Sequence, residues 1–204
     1  LGEVQCYATV SYKPQYLSSD YEGDVRSLLL STSEKTLGDE NFQTHILSPL
    51  GLQRLYDKKV QEVSGGELQK VAIAACLMQD AEIYALDEPS AFIDIEDRIT
   101  LAKAIQRFVK SREKSALIVD HDIQLIDIVS DSLIIFTGEP SMQGEATSPM
   151  PKNDGMNAFL RDLSITYRRD IESGRPRVNK PGSRLDRAQK SEGRYYYVGV
   201  EKNE

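Results

Sequence analysis

Apolar and polar positions change their period several times along the chain, and each change marks an element. Residues 4–12 (VQCYATVSY) alternate loosely and are rich in β-formers, which predicts a strand ended by Lys13-Pro14-Gln15. Residues 22–60 read as mostly helical, with turn signals at Gly38-Asp39 and Pro49-Leu50-Gly51. Ser64-Gly65-Gly66-Glu67 can cap a helix over 67–79, whose apolar residues Leu68, Val71, Ala72, Ala75 and Cys76 fall at helical spacing. The short apolar run 82–87 (EIYALD) predicts a buried strand, ended by Pro89. Asp94 can cap a helix to about residue 112, with Ile95, Ile99, Ala102, Ile105, Phe108 and Val109 facing inward. Residues 115–120 (SALIVD) predict another buried strand, 122–129 a short helix, and 132–137 (SLIIFT) a third strand.

Strands that alternate with helices and are apolar on both sides imply an α/β fold. Its sheet is mainly parallel and covered by helices on both faces. Chemistry in such sheets sits beyond the carboxyl ends of the strands. Two predicted strands end there in polar clusters, Asp87-Glu88 and Asp120-His121-Asp122. After Gly144 the alternation fails. Residues 145–157 contain Pro149, Pro151 and Gly155 and read as a linker, and 157–166 as a short helix. Residues 168–193, with Pro176 and Pro181, are expected to form an extended arm that needs a surface to become ordered. Tyr195-Tyr196-Tyr197-Val198 either adds as a strand or packs back; packing suits it better than a base-stacking platform. The expected division is 1–144 for the α/β domain and 145–204 for linker and arm.

Composition narrows the class. The chain has 204 residues, 40% hydrophobic and 28% charged, as soluble globular proteins do. No apolar run approaches the roughly 18 residues of a membrane span, and no segment reads as a signal peptide. Two isolated cysteines, Cys6 and Cys76, exclude a disulfide scaffold and suit core positions in a reducing, cytoplasmic setting. His45 has no partner pattern and reads as structural. The net charge of −7 conceals an acidic body followed by a basic arm: residues 161–190 carry nine Lys or Arg against four Asp or Glu. Such asymmetry points to nucleic acid or to an acidic protein surface. The first residue is Leu1 rather than Met, which is expected of a fragment.

Five motifs in order carry a resemblance. Val63-Ser64-Gly65-Gly66-Glu67, Ile83-Tyr84-Ala85-Leu86-Asp87-Glu88, Ser90-Ala91-Phe92-Ile93-Asp94, His121, and Gln15 after Lys13-Pro14 resemble the ATP-binding-cassette (ABC) family of ATPases. They match its signature loop, Walker B segment, D-loop, switch histidine and Q-loop. The resemblance implies a P-loop NTPase sheet of ABC type with a helical signature subdomain. It implies Asp87 and Gln15 as magnesium ligands, Glu88 as general base, His121 as a γ-phosphate contact, and Gln15 as a sensor of the water or metal. Ser64, Gly65, Gly66 and Glu67 would serve the ATP held by an opposing nucleotide-binding domain, and Asp94 would couple the two sites. The residues alone allow plainer roles: Ser64 an N-cap, Asp94 a helix cap, the acids a solvated strand end. A Gly-x-x-x-x-Gly-Lys loop is expected of the family, yet the chain contains no Gly-Lys dipeptide. The expectation is therefore a domain truncated at its N-terminus, with negligible ATPase activity on its own.

The stretches Gly155-Met156-Asn157, Thr166-Tyr167-Arg168-Arg169-Asp170 and Arg175-Pro176-Arg177-Val178-Asn179-Lys180 resemble ABC subfamily E, the ribosome-recycling or RNase L inhibitor family. That resemblance implies a C-terminal part of a second nucleotide-binding domain and a hinge arm. It implies two sandwiched ATP molecules with Mg2+, and iron–sulfur clusters in an upstream domain of the parent. The implied partners are the parent's first nucleotide-binding domain, the small ribosomal subunit and a release-factor-like or Pelota-like protein; the arm is expected to strap its own parent protein, with rRNA contact secondary, and no membrane is implied. The alternatives are an ABC transporter motor and a non-catalytic ribosome- or partner-binding module.

Overall fold

The structure, a computed structural model, describes residues 7–139, 141–169 and 176–197. The sequence-predicted features at residues 4–6, Cys6, Asp170, Arg175 and Val198 lie outside the described residues. The chain divides into two compact units, residues 1–129 and 130–204. The boundary of packing thus falls ahead of the compositional change at 144.

The first unit is built on a three-stranded parallel sheet in the order β1-β2-β3. Its strands are β1 (Val10–Lys13), β2 (Ile83–Asp87) and β3 (Ser115–Val119). Val10, Ile83 and Ser115 share one rung, and Tyr12, Ala85 and Leu117 another. Between β1 and β2 run α1 (Val25–Leu37), a short α2 (Glu40–Phe42) continued by a π-helical turn, and α3 (Gly65–Met78). Helix α4 (Ile95–Ser111) joins β2 to β3, and α5 (Ile123–Val129) follows β3.

Local signals explain the helix starts. The Asp24 carboxylate accepts the Ser27 N–H at 2.7 Å and starts α1. Asp39 accepts the Asn41 N–H at 2.7 Å and starts α2. At α3, Ser64 Oγ accepts the Glu67 N–H at 3.3 Å while the Glu67 carboxylate accepts the Ser64 N–H at 2.9 Å, a reciprocal capping box. Asp94 occupies the N-cap position of α4, but its side chain makes no cap bond. The helix is started instead by the acids Glu96 and Asp97 in its first turn, which suit the positive end of the dipole.

These helices cover one face of the sheet. Ser11, Tyr84 and Leu86 point into a core that includes Leu29, Phe42, Ile73, Leu77, Ile105 and Phe108. Phe108 meets Phe42 edge to face at 5.4 Å between ring centroids. The opposite face is not covered as the sequence pattern predicts. Val10 is 51% exposed, Tyr12 58%, Leu117 54% and Val119 57%. All lie on rungs of the same parity, and β3 is an edge strand, so the apolar alternation is only half satisfied by the described residues. Ile95 is 65% exposed rather than inward, because α4 turns its first residue out and buries Ile93 ahead of it.

The second unit corrects two expectations. Residues 132–137 are not a third strand of the sheet. They split into β4 (Ser132–Leu133), paired antiparallel with β7 (Met150–Pro151), and β5 (Phe136–Glu139), paired antiparallel with β6 (Gln143–Ala146). Helix α6 (Lys152–Asp162) packs on β4. A Cβ at Gly155 would stand 2.7 Å from Leu133 Cβ, so only glycine fits that contact. Nor are the described residues of 168–193 an extended arm. They form β8 (Tyr167–Arg169), β9 (Pro176–Val178) and α7 (Arg184–Ser191), and β10 (Tyr196–Tyr197) pairs parallel with β8.

Polar side chains hold this sheet and helix together. The Thr166 hydroxyl donates to Asp186 at 2.7 Å, the Gly182 N–H donates to the same carboxylate at 2.8 Å, and the Asn179 amide donates to Thr166 Oγ1 at 3.0 Å and to Gln189. Thr166, Asn179 and Asp186 are buried. A hydrogen-bonded net of this kind supplements the few buried apolar side chains of the unit, among them Met156, Leu160, Tyr167 and Tyr196. Tyr167 and Tyr196 stack at 5.7 Å beside it.

The Thr166 hydroxyl first, then the Gly182 N–H, hold the Asp186 carboxyl below its ordinary value. A depressed carboxyl stabilises the fold above its unfolded pKa of about 3.9 and loses that contribution as pH falls through the depressed value. Replacing it by Asp186→Ala should lower the urea midpoint of this unit near neutral pH. The difference from wild type should shrink below pH 4, as read from the NMR signals of Tyr167 and Tyr196.

Candidate functional site

Beyond the carboxyl ends of β2 and β3, three of the sequence-predicted residues come together. Asp87 ends β2 and Glu88 follows it. His121 Nδ1 lies 3.9 Å from Glu88 Oε1 and 4.0 Å from Asp120 Oδ1. The His121 side chain is 75% exposed and that of Glu88 31%, so an incoming group can reach both. The Tyr12 hydroxyl donates to Asp87 Oδ2 at 3.3 Å. Partial desolvation, and then the charge and hydrogen bond of Asp87, push the Tyr12 pKa up, although its side chain stays largely exposed.

The backbone at Glu88 is left-handed, with φ +45°. A residue with a Cβ held there costs about 1–3 kcal/mol and persists only where its surroundings over-determine it. Those surroundings are visible. The Glu88 N–H donates to the Val119 carbonyl at 2.7 Å. The Glu88 carbonyl accepts Gln69 Nε2 at 2.6 Å and Lys13 Nζ at 3.4 Å, and Lys13 also donates to the Asp87 carbonyl at 2.6 Å. Asp120 has its carboxylate fully buried. It accepts the Ser90 N–H at 2.9 Å, the Ser90 hydroxyl at 2.8 Å and the Asp122 N–H at 2.8 Å. Asp122 in turn caps α5 and pairs with Arg98 at 2.6 Å. The Arg98 Nε donates to the Ile93 carbonyl at 2.7 Å. The loop after β2 is therefore tied to the loop after β3 by side chains from α4 and from Asp120.

The signature residues form a second cluster. Ser64, Gly65, Gly66 and Glu67 make the first turn of α3, against the loop Phe92-Ile93-Asp94. Phe92 is also left-handed, with φ +60°, and 83% exposed. The Glu67 carboxylate accepts Lys58 Nζ at 3.1 Å, and the Ser64 N–H, its strongest influence, pulls its pKa down. Among the described residues no hydrogen bond joins Ser64, Gly65, Gly66, Glu67 or Asp94 to Asp87, Glu88 or His121. Gln15 lies two residues beyond β1, half-buried, and makes no hydrogen bond to the Asp87–Glu88 pair.

Three polar groups of the site escape sequence reasoning: Lys13, Gln69 and the role of Asp120. Lys13 has a weak signal, since the alternation of β1 places it on the covered face beside Ser11. Gln69 has a similar one, as a polar residue on the inner side of α3.

One carboxylate at a strand end is how proteins hold Mg2+, which keeps its waters and takes its remaining ligands from substrate phosphates. Asp87 fits that pattern. Among the described residues no three His, Cys, Asp or Glu side chains form a complete metal cage, and this mode of holding Mg2+ does not require one. Backbone N–H groups at the start of the 14-residue helix α3 fit an anion. No helix among the described residues is long and apolar enough to cross a membrane.

Residues 5–91 match the family model described as ABC transporter. An uncharacterized ABC transporter ATP-binding protein of Methanocaldococcus jannaschii is 52% identical over 189 residues, 93% of this chain and 31% of that protein. The translation initiation factor RLI1 of Saccharomyces cerevisiae is 42% identical over 189 residues, with the same 93% and 31% coverage. A solved RNase-L inhibitor superposes with a TM-score of 0.91 at 50% identity, over 98% of this chain and 39% of its own. A structure of ribosome-bound archaeal Pelota and ABCE1 matches with a TM-score of 0.91 at 51% identity, over 97% of this chain and 33% of the matched one. The chain thus spans about a third of the length of the curated relatives it matches.

The two signature glycines differ in what they tolerate. A Cβ at Gly66 would meet the Phe92 backbone carbonyl at 2.5 Å, whereas one at Gly65 would meet only the Phe92 side chain at 3.6 Å. Gly66→Ala should destabilise the first unit by about 1–3 kcal/mol through forced displacement of that loop. Gly65→Ala should stay within about 0.5 kcal/mol of wild type. Urea unfolding of the two variants side by side checks this.

Proposed function

The chain belongs to the RNase L inhibitor family of ABC-type ATPases, and we propose that it supplies the water-activating side of one ATP site and the signature loop of another. The observation that carries the reading is the Glu88–His121 pair beside Asp87 at the carboxyl ends of two parallel strands. The Glu88 carboxylate orients and polarises the water that attacks the γ-phosphorus. His121 donates to a γ-phosphate oxygen, a positioning role. Asp87 holds Mg2+ directly or through water, with Gln15 as a further contact from the loop after β1. When bound, Mg2+ neutralises charge on the phosphates. The bond to ADP breaks as the bond to the water oxygen forms and the water proton passes to Glu88, leaving ADP and inorganic phosphate.

Among the described residues no hydrogen bond joins the two clusters, which suits a composite arrangement. Ser64, Gly65, Gly66 and Glu67 serve an ATP held by an opposing nucleotide-binding domain of the same protein. Asp94, whose carboxylate is not used as a cap, stands beside them to couple the sites. The phosphate cradle of this site is not formed by residues of this chain, which has no Gly-Lys dipeptide.

For the whole protein we propose separation of ribosomal subunits driven by closure on two ATP molecules, in the cytoplasm. The small subunit and a Pelota-like or release-factor-like protein are its partners. One matched structure, of ribosome-bound archaeal Pelota and ABCE1, supports this. The second unit acts as the hinge, and its basic residues face rRNA or the protein's own acidic surface. Iron–sulfur clusters belong to another domain. Among the described residues the only cysteine, Cys76, is buried against the Ser11 hydroxyl at 3.2 Å.

In the full-length protein Glu88→Gln should lower kcat for ATP hydrolysis by about 10²–10⁴-fold with little change in ATP affinity. Sucrose gradients should then show it retained on ribosomal subunits with ATP, whereas wild type should be retained only with a nonhydrolysable analogue. Unchanged hydrolysis would exclude Glu88 as the base. Titration of the 204-residue chain with Mg-ATP should show no micromolar binding.

A further inference from the structure

Two buried polar side chains from different elements converge on the main chain at Glu88. Lys13, at the end of β1, is 1% exposed, and Gln69, in the second turn of α3, is 1% exposed. Lys13 Nζ donates to the Asp87 carbonyl at 2.6 Å and to the Glu88 carbonyl at 3.4 Å; Gln69 Nε2 donates to the Glu88 carbonyl at 2.6 Å. Burial pulls the Lys13 pKa down, and the charges of Asp87, Asp120 and Glu88 oppose it.

Apolar side chains of similar length would fill these core positions without the desolvation of an ammonium and an amide. What apolar side chains could not do is hold a carbonyl. The peptide held is the one with positive φ, and its orientation sets where the Glu88 carboxylate points relative to His121, 3.9 Å away. Val119 fixes the N–H side of Glu88 and Gln69 with Lys13 the carbonyl side. Gln69 also sits five residues after Ser64 on one continuous helix, so a movement of the signature helix is felt at the Glu88 carbonyl through a single hydrogen bond.

We propose that Gln69 and Lys13 are positioning residues that clamp the left-handed peptide of Glu88, and that Gln69 makes the aim of the Glu88 carboxylate depend on the position of the signature helix. This rests on the reading of Glu88 as the water-activating group. Neither residue touches substrate; both act through Glu88. Their removal therefore lowers kcat and not ATP binding, and only while Glu88 is a working base.

The test is a double-mutant cycle in the full-length protein, using single-turnover and steady-state ATP hydrolysis. Gln69→Met should lower kcat about tenfold or more with KM for ATP changed less than about threefold. In the Glu88→Gln background the same substitution should cost less than twofold. Lys13→Met should behave alike and stands in if Gln69→Met fails to fold, as thermal unfolding would report. Gln69→Glu should lose activity near neutral pH and recover part of it relative to Gln69→Met as pH falls, because only a protonated carboxyl donates. Equal losses in both backgrounds, or no loss from Gln69→Met and Lys13→Met, would overturn the clamp while leaving Glu88 as base. A Glu88→Gln variant with wild-type hydrolysis would overturn the reading of Glu88 itself, and so is told apart from failure of the clamp alone.

Discussion

The peptide between Glu88 and Pro89 bears on everything around it in the first unit. A residue with a side chain is held at φ +45° just where β2 ends. That conformation is maintained because both ends of Glu88 are hydrogen-bonded from three sides: β3 through Val119, β1 through Lys13 and α3 through Gln69. The parallel register of β1, β2 and β3 is what brings these groups within reach. Strain at this point is thus supported by the whole covered face of the sheet. A carboxylate on such a peptide is aimed rather than merely present, which suits a group that must orient a water molecule.

A second consequence is that the loops carrying the site are linked before any ligand arrives. Asp120 holds Ser90 and the Asp122 N–H, while Arg98 joins Asp122 to the Ile93 carbonyl. Phe92 leans on the signature glycines, where one added methyl group at Gly66 would collide with backbone. Among the described residues no hydrogen bond joins the carboxylate cluster to the signature cluster, yet α3 carries the signature turn and, through Gln69, holds the Glu88 carbonyl. A preorganised site of this kind loses little freedom on binding.

The two units are stabilised by different means. The first relies on apolar packing around Phe42, Tyr84 and Phe108. The second, rich in charge, closes around Thr166, Asn179 and Asp186, each hydrogen-bonded to the others or to backbone. Such a net is directional, so it specifies one arrangement of β8, β9 and α7, and it responds to pH where an apolar core does not.

Periodicity and caps made much of the first unit legible: α3, α4 and the strands β2 and β3 lie within a residue or two of their sequence-predicted bounds, and Asp87, Glu88 and His121 meet as the strand ends implied. These are local properties, set by which neighbours share a face and which side chain reaches the first free N–H. The folding of the described residues of 168–193 and the splitting of 132–137 were not legible, because a polar segment held by a hydrogen-bond net shows no apolar period. Lys13 and Gln69 escaped for the same reason. By itself the sequence determined the motifs, their order and the elements that present them. Only the tertiary structure decided that a buried lysine and a buried glutamine, 56 residues apart, converge on one carbonyl, since that contact depends on the register of β1 against β2 and the rotation of α3.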